Sequence, residues 1–332
     1  MDEERFRSAS NRRTNSTQQR RAGTVGPALE IDHVTKRYDD APVVKDLSFT
    51  VQPGRVTGFL GPNGAGKSTT MKILLDLASA DQGTAMIGGT RYRDLQDPAR
   101  KVGVALEPNA FHPGRSGRNH LRVLADGGGF SPARVHELLS LVGLAEAANR
   151  RVGAYSMGMR QRLSLAAALL GDPPVLVLDE PGNGLDPQGI RDLRALLRER
   201  AANGDTIFVS SHLLSEVEHL ADDVVVLNKG RLVASGPLAE LQRDETLVRT
   251  PSRTNLIEVL QSAGGTVESR DENALLVRGL SIDKIGHRAH RAGIELHELS
   301  PHSGSLEELF MGWTDATNVD TTSEDAREVR SA

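Results

Sequence analysis

Residues 61–69 read GPNGAGKST and fit the phosphate-binding pattern G-x-x-x-x-G-K-[ST]. The apolar run RVTGFL (55–60) comes directly before them, and the periodic segment KSTTMKILLDL (67–77) continues from them. This order predicts a strand, a glycine-rich loop and a helix, with backbone N–H groups and the helix N-terminus directed at an anion. An ordinary glycine turn is the alternative interpretation, and the flanking strand and helix argue against it.

The side chains of this loop have distinct predicted roles. Lys67 is expected to reach the β- and γ-phosphates of a nucleotide. The Ser68 hydroxyl is expected to bind Mg²⁺, with Thr69 beside it. The remaining nucleotide-binding candidates in the loop are Gly61, Asn63, Gly64, Ala65 and Gly66.

A second motif is VLVLDEP, residues 175–181, whose continuous apolar run is typical of a buried parallel strand. Asp179 ends this run, and a buried carboxylate is costly unless it meets a cation such as the predicted Mg²⁺. Glu180 is expected to point from the other face of the strand end and to polarise water for attack on the γ-phosphate. Alternatively, the two carboxylates are a helix N-cap pair ahead of Pro181.

Strands and helices alternate along residues 28–236, which predicts an α/β domain with a parallel sheet and helices on its faces. Early antiparallel strands and a helical subdomain at about 107–171 are expected as additions to this core. Besides the helix at 67–77, helices are predicted within 116–171 and at 187–202 and 213–221. Strands are predicted at 28–34, 43–51, 55–60, 84–89, 101–106, 174–181, 205–211 and 222–228.

A second, smaller domain is predicted at residues 237–314. Its pattern gives a strand at 245–250, a helix at 252–263, a hairpin of 265–270 with 273–279, a helix at 281–292 and a strand at 293–299. This βαββαβ order resembles a ferredoxin-like α+β module. Beyond it, Ser305 and Glu308 form a capping-box pattern.

Composition narrows the function classes. The 332 residues carry a net charge of −4, which gives no reason to expect nucleic acid as a partner, and they include no cysteine for a disulfide or thiolate metal site. No apolar stretch approaches the roughly 18 to 20 residues of a spanning helix. Residues 1–27 lack the apolar region of a secretory signal and are expected to be a disordered, solvated tail, as are residues 315–332. Binding of the basic first tail to anionic lipid or nucleic acid is the alternative.

From about residue 28 to residue 236 the sequence resembles the ATP-binding subunits of ABC transporters. GPNGAGKST is similar to their Walker A motif and VLVLDEP to Walker B, and GNGLDP (182–187) resembles the D-loop, with Asp186 at its acidic position. The resemblance implies a P-loop NTPase fold, ATP and Mg²⁺ as cofactors, adenine stacking by Tyr38, and a γ-phosphate contact by the switch histidine His212. Without the resemblance, Tyr38 could simply pack at a strand end and His212 could be an ordinary loop histidine.

The sequence departs from the family pattern in the loop usually written LSGGQ, which here is YSMGM (155–159); we call it the signature loop. Ser156 and Gly158 are retained, and in the family these two contact the γ-phosphate bound by the opposite subunit. Methionine at position 157 demands a tolerant backbone, because a positive φ there would be strained. The alternative is a signature loop that no longer works. The pattern Y-S-x-G-M-x-Q-R is similar to that of exporters whose ATPase is a separate polypeptide.

A second departure is Glu107, which stands where the family usually has the glutamine of the Q-loop. The resemblance places this side chain at Mg²⁺ and the attacking water. An ionised glutamate can still bind the metal, but it adds negative charge and lacks the amide donors. We therefore expect Glu107 to keep the metal contact and to change the hydrolysis rate.

The resemblance implies the ATP-hydrolysing subunit of an ABC exporter, similar to the daunorubicin- or bacitracin-resistance branch, moving a drug, an antibiotic or a lipid-like molecule. The resemblance also implies a homodimer and a separate integral membrane permease that docks near residues 107–150. The subunit would then lie peripherally on the cytoplasmic face of the membrane. The small domain is expected to serve dimer contact or regulation, or only stability. A soluble ATPase acting on nucleic acid or ribosomes and a non-hydrolysing regulator are the alternatives.

Overall fold

The computed structural model describes residues 25–39, 41–106, 111–241, 244–303 and 309–310. Glu107, the cap residues Ser305 and Glu308, residues 1–24 of the first predicted tail and the whole of the second tail lie outside the described residues. Residue contacts divide the chain into two compact units, with the division between Ser235 and Gly236.

Three sheets contain the strands of the described chain. In chain order the strands are β1 (Leu29–Tyr38), β2 (Ala41–Val51), β3 (Val56–Leu60), β4 (Gln82–Ile87), β5 (Val102–Ala105), β6 (Val175–Asp179), β7 (Thr206–Ser211), β8 (Asp223–Asn228), β9 (Arg231–Pro237), β10 (Asp244–Arg249), β11 (Thr266–Ser269), β12 (Ala274–Arg278) and β13 (Glu298–Ser303). Of these, β9 was not expected from the sequence.

The α-helices of the described residues are, in chain order, α1 (Lys67–Leu74), α2 (Pro98–Lys101), α3 (Gly117–Gly127), α4 (Pro132–Leu141), α5 (Met157–Ala168), α6 (Pro187–Ala202), α7 (Leu214–Glu218), α8 (Leu238–Leu241), α9 (Arg253–Ser262) and α10 (Ile282–Arg291). Three of them, α1, α5 and α6, begin within the Walker A motif, the signature loop and the D-loop, respectively. The glycines at 127–129 end α3, as the sequence predicts, whereas α1 and α7 are shorter than predicted.

The six-stranded sheet of the first unit has the order β5-β6-β7-β3-β8-β9, and its pairs from β5 to β8 are parallel. Side chains of β6 alternate between two hydrophobic clusters, with Val175 and Val177 in one and Leu176 and Leu178 in the other. Both faces of the strand are therefore covered, which explains its uninterrupted apolar sequence. Because β6, β7 and β3 are neighbours, the loops that follow them meet at one edge of the sheet.

The first unit contains two further groups of elements, an antiparallel sheet and a helical block. A three-stranded antiparallel sheet has the order β2-β1-β4. The helices α3, α4 and α5 form a helical block whose buried side chains share one cluster with Leu176 and Leu178. Each of the three helices begins at a serine whose hydroxyl accepts a backbone N–H, namely Ser116, Ser131 and Ser156.

The second unit contains an antiparallel sheet in the order β11-β12-β10-β13, with α9 after β10 and α10 after β12. This is the βαββαβ element order that the sequence predicts. The last strand was predicted wrongly at residues 293–299. Arg249, the last residue of β10, pairs with Glu298, so residues 293–297 lie beyond the end of the partner strand. Within those residues, Ile294 and Leu296 pack against the small core instead.

Candidate nucleotide-binding and hydrolysis site

A cavity of about 290 Å³ lies at the sheet edge where β3, β6 and β7 end. We call it the phosphate cavity. It is lined by Val43, Pro62, Asn63, Gly64, Gly66, Lys67, Ser68, Thr69, Glu180, Asn183 and His212. The structure therefore brings together the residues of both predicted phosphate motifs and the predicted switch histidine.

The loop between β3 and α1 depends on glycine at its last position. Gly66 has φ 106°, a left-handed conformation that other residues rarely adopt. A Cβ atom at Gly66 would also lie 2.8 Å from the carbonyl oxygen of Val43. The helix α1 starts at the next residue, so its free N–H groups and its positive dipole end face the cavity.

Lys67 supplies a cation at the base of the loop. Its side chain is only 6% exposed, and its Nζ donates to the carbonyl oxygens of Gly61 at 2.6 Å and Pro62 at 3.3 Å. Nζ also lies 3.9 Å from Oε1 of Glu180. Burial lowers the pKa of Lys67, and the negative charges of Glu180 and Asp179 oppose that shift.

Asp179 is buried at the end of β6 and is held by two serines. The Ser68 hydroxyl donates to Oδ2 of Asp179 at 2.7 Å, and the Ser210 hydroxyl donates to Oδ1. Asp179 pairs with Ser210 in the register of β6 and β7, so the sheet itself sets this contact. The alternative of a helix N-cap does not describe Asp179, because its oxygens contact serine hydroxyls rather than helix N–H groups.

The donor set beside Lys67 fits Mg²⁺. The Ser68 hydroxyl and the Asp179 carboxylate are hard oxygen ligands within 2.7 Å of each other, next to the phosphate-binding loop. Mg²⁺ is commonly held by one or two carboxylates together with substrate phosphates, so no larger protein cage is needed. The described residues contain no cluster of three histidine, cysteine or acidic side chains that could hold a metal.

Glu180 adopts a backbone conformation with φ 50°, which is uncommon for any residue other than glycine. Its N–H donates to the Ser210 hydroxyl at 2.9 Å, and its carbonyl oxygen accepts from Nε2 of Gln161 at 3.1 Å. Its carboxylate accepts from Nδ2 of Asn183 at 3.3 Å and contacts Nδ1 of His212 at 2.5 Å. Because an ionised carboxylate only accepts, Nδ1 of His212 carries the proton in that contact.

The signature loop does not line the phosphate cavity of its own chain. Ser156 is the N-cap of α5, and its hydroxyl accepts from the N–H of Met159 at 3.2 Å. Met157 is the first residue of α5 and does not have a positive φ, so the methionine carries no backbone strain there. It is 54% exposed and lies against Gly184.

The predicted residues Gly61, Ala65 and Asp179 belong to the two motifs but are not part of the cavity lining, and neither are Tyr38 and Asp186. Tyr38 ends β1 and is 47% exposed, with Nζ of Lys36 5.3 Å from its ring centroid, so it is not a buried packing residue. Asp186 is the N-cap of α6 and accepts from the N–H of Gly189 and from Nη2 of Arg162, both at 2.9 Å. The Gly189 N–H, and then Arg162, lower the pKa of Asp186.

Sequence reasoning missed three residues that hold the site together, namely Ser210, Asn183 and Gln161. Ser210 contacts both Asp179 and Glu180, Asn183 contacts the Glu180 carboxylate, and Gln161 contacts the Glu180 carbonyl. Ser210 is the second-last residue of the predicted strand 205–211, and Asn183 comes two residues after the predicted strand 174–181, so polar residues near strand ends are a usable signal. Gln161 is the glutamine of the pattern Y-S-x-G-M-x-Q-R, but nothing in that pattern indicates a contact with Glu180.

Comparison with known proteins gives the family. A family model described as ABC transporter matches residues 44–183. The bacitracin transport ATP-binding protein BcrA of Enterococcus faecalis is 41% identical over 218 residues, which are 65% of this chain and 71% of BcrA. The uncharacterized ABC transporter ATP-binding protein YhcH of Bacillus subtilis (strain 168) is 36% identical over 304 residues, covering 87% of this chain and 96% of YhcH. The chain belongs to the ABC transporter ATP-binding family.

This ABC ATPase shares its fold with a solved structure of an ATP-binding subunit of an ABC transporter. The two are 31% identical with a TM-score of 0.60, and the match covers 66% of this chain and 92% of that one. The predicted P-loop fold and the ATP-hydrolysing activity are thereby confirmed. Residues 244–307 match a separate family, described as a domain of unknown function (DUF8746). Within the described residues, no helix of this ABC ATPase combines the length and apolar character needed to cross a membrane.

Proposed function

We propose that the phosphate cavity binds Mg·ATP and that Glu180 is the general base of its hydrolysis. The observation that carries this proposal is the meeting of Lys67, the Ser68–Asp179 pair and Glu180 in one cavity. Lys67 and the backbone N–H groups of the loop bind the β- and γ-phosphates, as in other P-loop proteins. The other loop residues proposed to contact the nucleotide are Gly61, Asn63, Gly64, Ala65, Gly66 and Thr69.

Ser68 and Asp179 are the residues that would hold Mg²⁺, which supplies positive charge to the phosphate oxygens when it is bound. Before nucleotide binds, their mutual hydrogen bond keeps both oxygens in place. Glu107 is proposed to contact the same metal, as the Q-loop resemblance implies.

Glu180 accepts the proton of the attacking water in this proposal. Its carboxylate is fixed by Asn183 and His212 rather than left free in the cavity. The Nδ1–H of His212 donates to Oε2, and the other oxygen, Oε1, lies 3.9 Å from Lys67 Nζ and is proposed to accept the proton of the water. His212 also lines the phosphate cavity, and its second ring nitrogen is proposed to contact the γ-phosphate.

The signature loop serves a second copy of the chain. Ser156 and Gly158 lie at the N-terminus of α5, where a hydroxyl and free N–H groups can bind phosphate. Since these residues do not line their own cavity, we propose a head-to-tail homodimer in which each signature loop closes the partner's ATP site. Asp186 lies beside the signature helix and Tyr38 at the end of β1, and both are proposed to contact nucleotide in that dimer.

The similarity to BcrA supports an exporter ATPase that works with a separate integral membrane permease. The cargo would be an antibiotic, a drug or a lipid-like molecule. The ATPase would then bind peripherally at the cytoplasmic face of the membrane through the permease. Co-purification with an integral membrane protein supports this assignment, whereas ribosome or DNA binding that survives moderate salt contradicts it.

The test of the proposed chemistry is the substitution Glu180→Gln. It keeps the shape of the side chain and removes the base, so we expect kcat to fall at least about 100-fold while ATP still binds. ATPase rate and equilibrium ATP binding are both measured. Glu258→Gln, at an exposed position of α9, is the matched control and should leave both unchanged. A Glu180→Gln variant with the wild-type rate would remove Glu180 from this role.

A further inference from the structure

Gln161 is a buried polar residue that none of the phosphate motifs explains. It lies on α5, five residues after Ser156, and only 4% of its side chain is exposed. Its Nε2 donates to the carbonyl oxygen of Glu180 at 3.1 Å. The contact joins the helix of the signature loop to the residue proposed as the general base.

The Glu180 backbone needs such support because of its conformation. With φ 50° it occupies a region that residues with a side chain rarely adopt unless the surroundings hold them there. Three hydrogen bonds do so: its N–H donates to the Ser210 hydroxyl, and its carbonyl oxygen accepts from the backbone N–H of Asn183 at 3.1 Å and from Gln161. Together they fix the peptide groups on both sides of Cα, and so the direction in which the carboxylate leaves the chain.

The nitrogen and the oxygen of the Gln161 amide differ in their hydrogen bonding. Oε1 is buried and has no hydrogen-bond partner among the described residues. Rotating the amide would only bring Oε1 against the carbonyl oxygen of Glu180, which also accepts. A methionine of similar length would avoid the unpaired oxygen, and the Glu180 carbonyl oxygen would keep its hydrogen bond from the Asn183 N–H. The N–H donor toward Glu180 is what methionine could not supply.

The same helix is attached to the D-loop at two more places. Nη2 of Arg162 donates to Oδ1 of Asp186 at 2.9 Å. Gly158 lies so close to Gly184 that a Cβ atom on Gly158 would be 2.5 Å from the Gly184 carbonyl oxygen. The helix that presents Ser156 is thus fixed to residues 180–186 along its first two turns, and Gln161 makes the contact nearest the chemistry.

We propose that Gln161 is a positioning residue for hydrolysis, which aims the Glu180 carboxylate by holding its peptide to the helix of the signature loop. This inference rests on the proposed role of Glu180 as general base. It adds a direct connection, within one chain, between that base and the element that serves the partner's ATP.

The substitution Gln161→Met tests the proposal, because it removes the donor and the unpaired oxygen together. We expect kcat to fall roughly 10- to 100-fold, as a small misplacement of a reacting group causes. KM for ATP should stay within about twofold, since no contact with bound nucleotide is lost. Tm should not fall. Gln261→Met, at an exposed position of α9, is the matched control and should change none of these quantities.

A second measurement shows whether Gln161 acts through Glu180. In single-turnover assays on the Glu180→Gln background, adding Gln161→Met should change the remaining rate by less than about twofold, because residues that act as one unit are not additive. An equal fold loss in both backgrounds would overturn the proposal. Gln161→Glu keeps the shape of the side chain but has no donor when ionised, and it should lower kcat in the same way.

The outcomes separate this inference from the proposed function. Wild-type kcat in Gln161→Met, with Glu180→Gln inactive, overturns only the positioning role. A lower Tm with a raised KM means that Gln161 acts only through the fold, which also overturns it. Full activity of Glu180→Gln alone overturns the general base itself.

Discussion

The phosphate cavity and the signature loop differ in where their polar groups are directed. In the cavity, Lys67, Asp179 and Glu180 contact one another or residues of the same sheet edge. In the signature loop, Ser156 caps its own helix, Met157 is exposed, and neither residue lines the cavity. One region is assembled within the chain and the other is presented outward. In the proposed head-to-tail dimer, each copy would build most of one ATP site and supply the rest of its partner's site.

Ser156→Ala should give the largest effect of the substitutions that separate the two regions. It removes a hydroxyl proposed to bind the partner's γ-phosphate, so we expect ATPase activity to fall roughly 10- to 100-fold. ATP binding to the isolated chain should be unchanged, and loss of the helix cap should cost only about 1 kcal/mol of unfolding free energy.

Ser131→Ala is the matched control, because Ser131 caps α4 in the same helical block without a proposed phosphate contact. The control should show the loss of stability and none of the loss of activity. Equal ATPase losses in the two variants would mean that Ser156 matters only as a helix cap.

The helical block that carries the signature loop contains a buried histidine, His120, which should make the fold sensitive to acid. His120 on α3 is buried against Phe111, and its Nδ1 has no partner among the described residues. Burial, and then the charge of Arg115, lower the pKa of His120 below its ordinary value of 6.5. Folding therefore favours the neutral imidazole. The free energy of unfolding is highest above pH 6.5, and it decreases as the pH falls from 6.5 to the lowered pKa of the folded state.

Thermal unfolding between pH 7.5 and pH 5.5 measures this effect. Wild-type Tm should drop by about 2 to 4 °C more than the Tm of His120→Gln over that range. His136→Gln, at an exposed position of α4, should behave as wild type. Parallel curves for wild type and His120→Gln would show that His120 does not titrate with unfolding.

Met157→Gly should give the smallest effect. Met157 has ordinary helical geometry at the start of α5 and packs on Gly184, so the methionine neither strains the signature loop nor blocks Ser156. We expect ATPase activity to change less than about threefold and the unfolding free energy to fall by at most about 1 kcal/mol. An increase of ATPase activity well beyond that range would show that methionine restrains hydrolysis.

The sequence predicts the parts of this ABC ATPase that depend on local pattern. These parts are the loop of residues 61–69, the carboxylates at 179 and 180, and His212. Each lies at a strand end, as the family motifs indicate. Their meeting also follows from the sequence, since loops after neighbouring parallel strands share one edge.

Contacts set by register or by distant packing were not predictable. Ser210 reaches Asp179 because β6 and β7 pair in one register, and Gln161 reaches Glu180 because α5 packs beside that strand end. The last strand was placed too early, because its pairing with β10 depends on where β10 ends. The role of Glu107 stays a prediction.

Mixing two inactive variants tests the central claim most directly. In a mixed dimer of Lys67→Ala and Ser156→Ala, one ATP site has both defects and the other has none, if each signature loop serves the partner. Single-turnover hydrolysis should then rise to roughly a quarter of the wild-type amplitude, since half of randomly paired dimers are mixed and each holds one intact site. Activity no higher than the sum of the two variants alone would contradict a signature loop that acts on the partner's ATP.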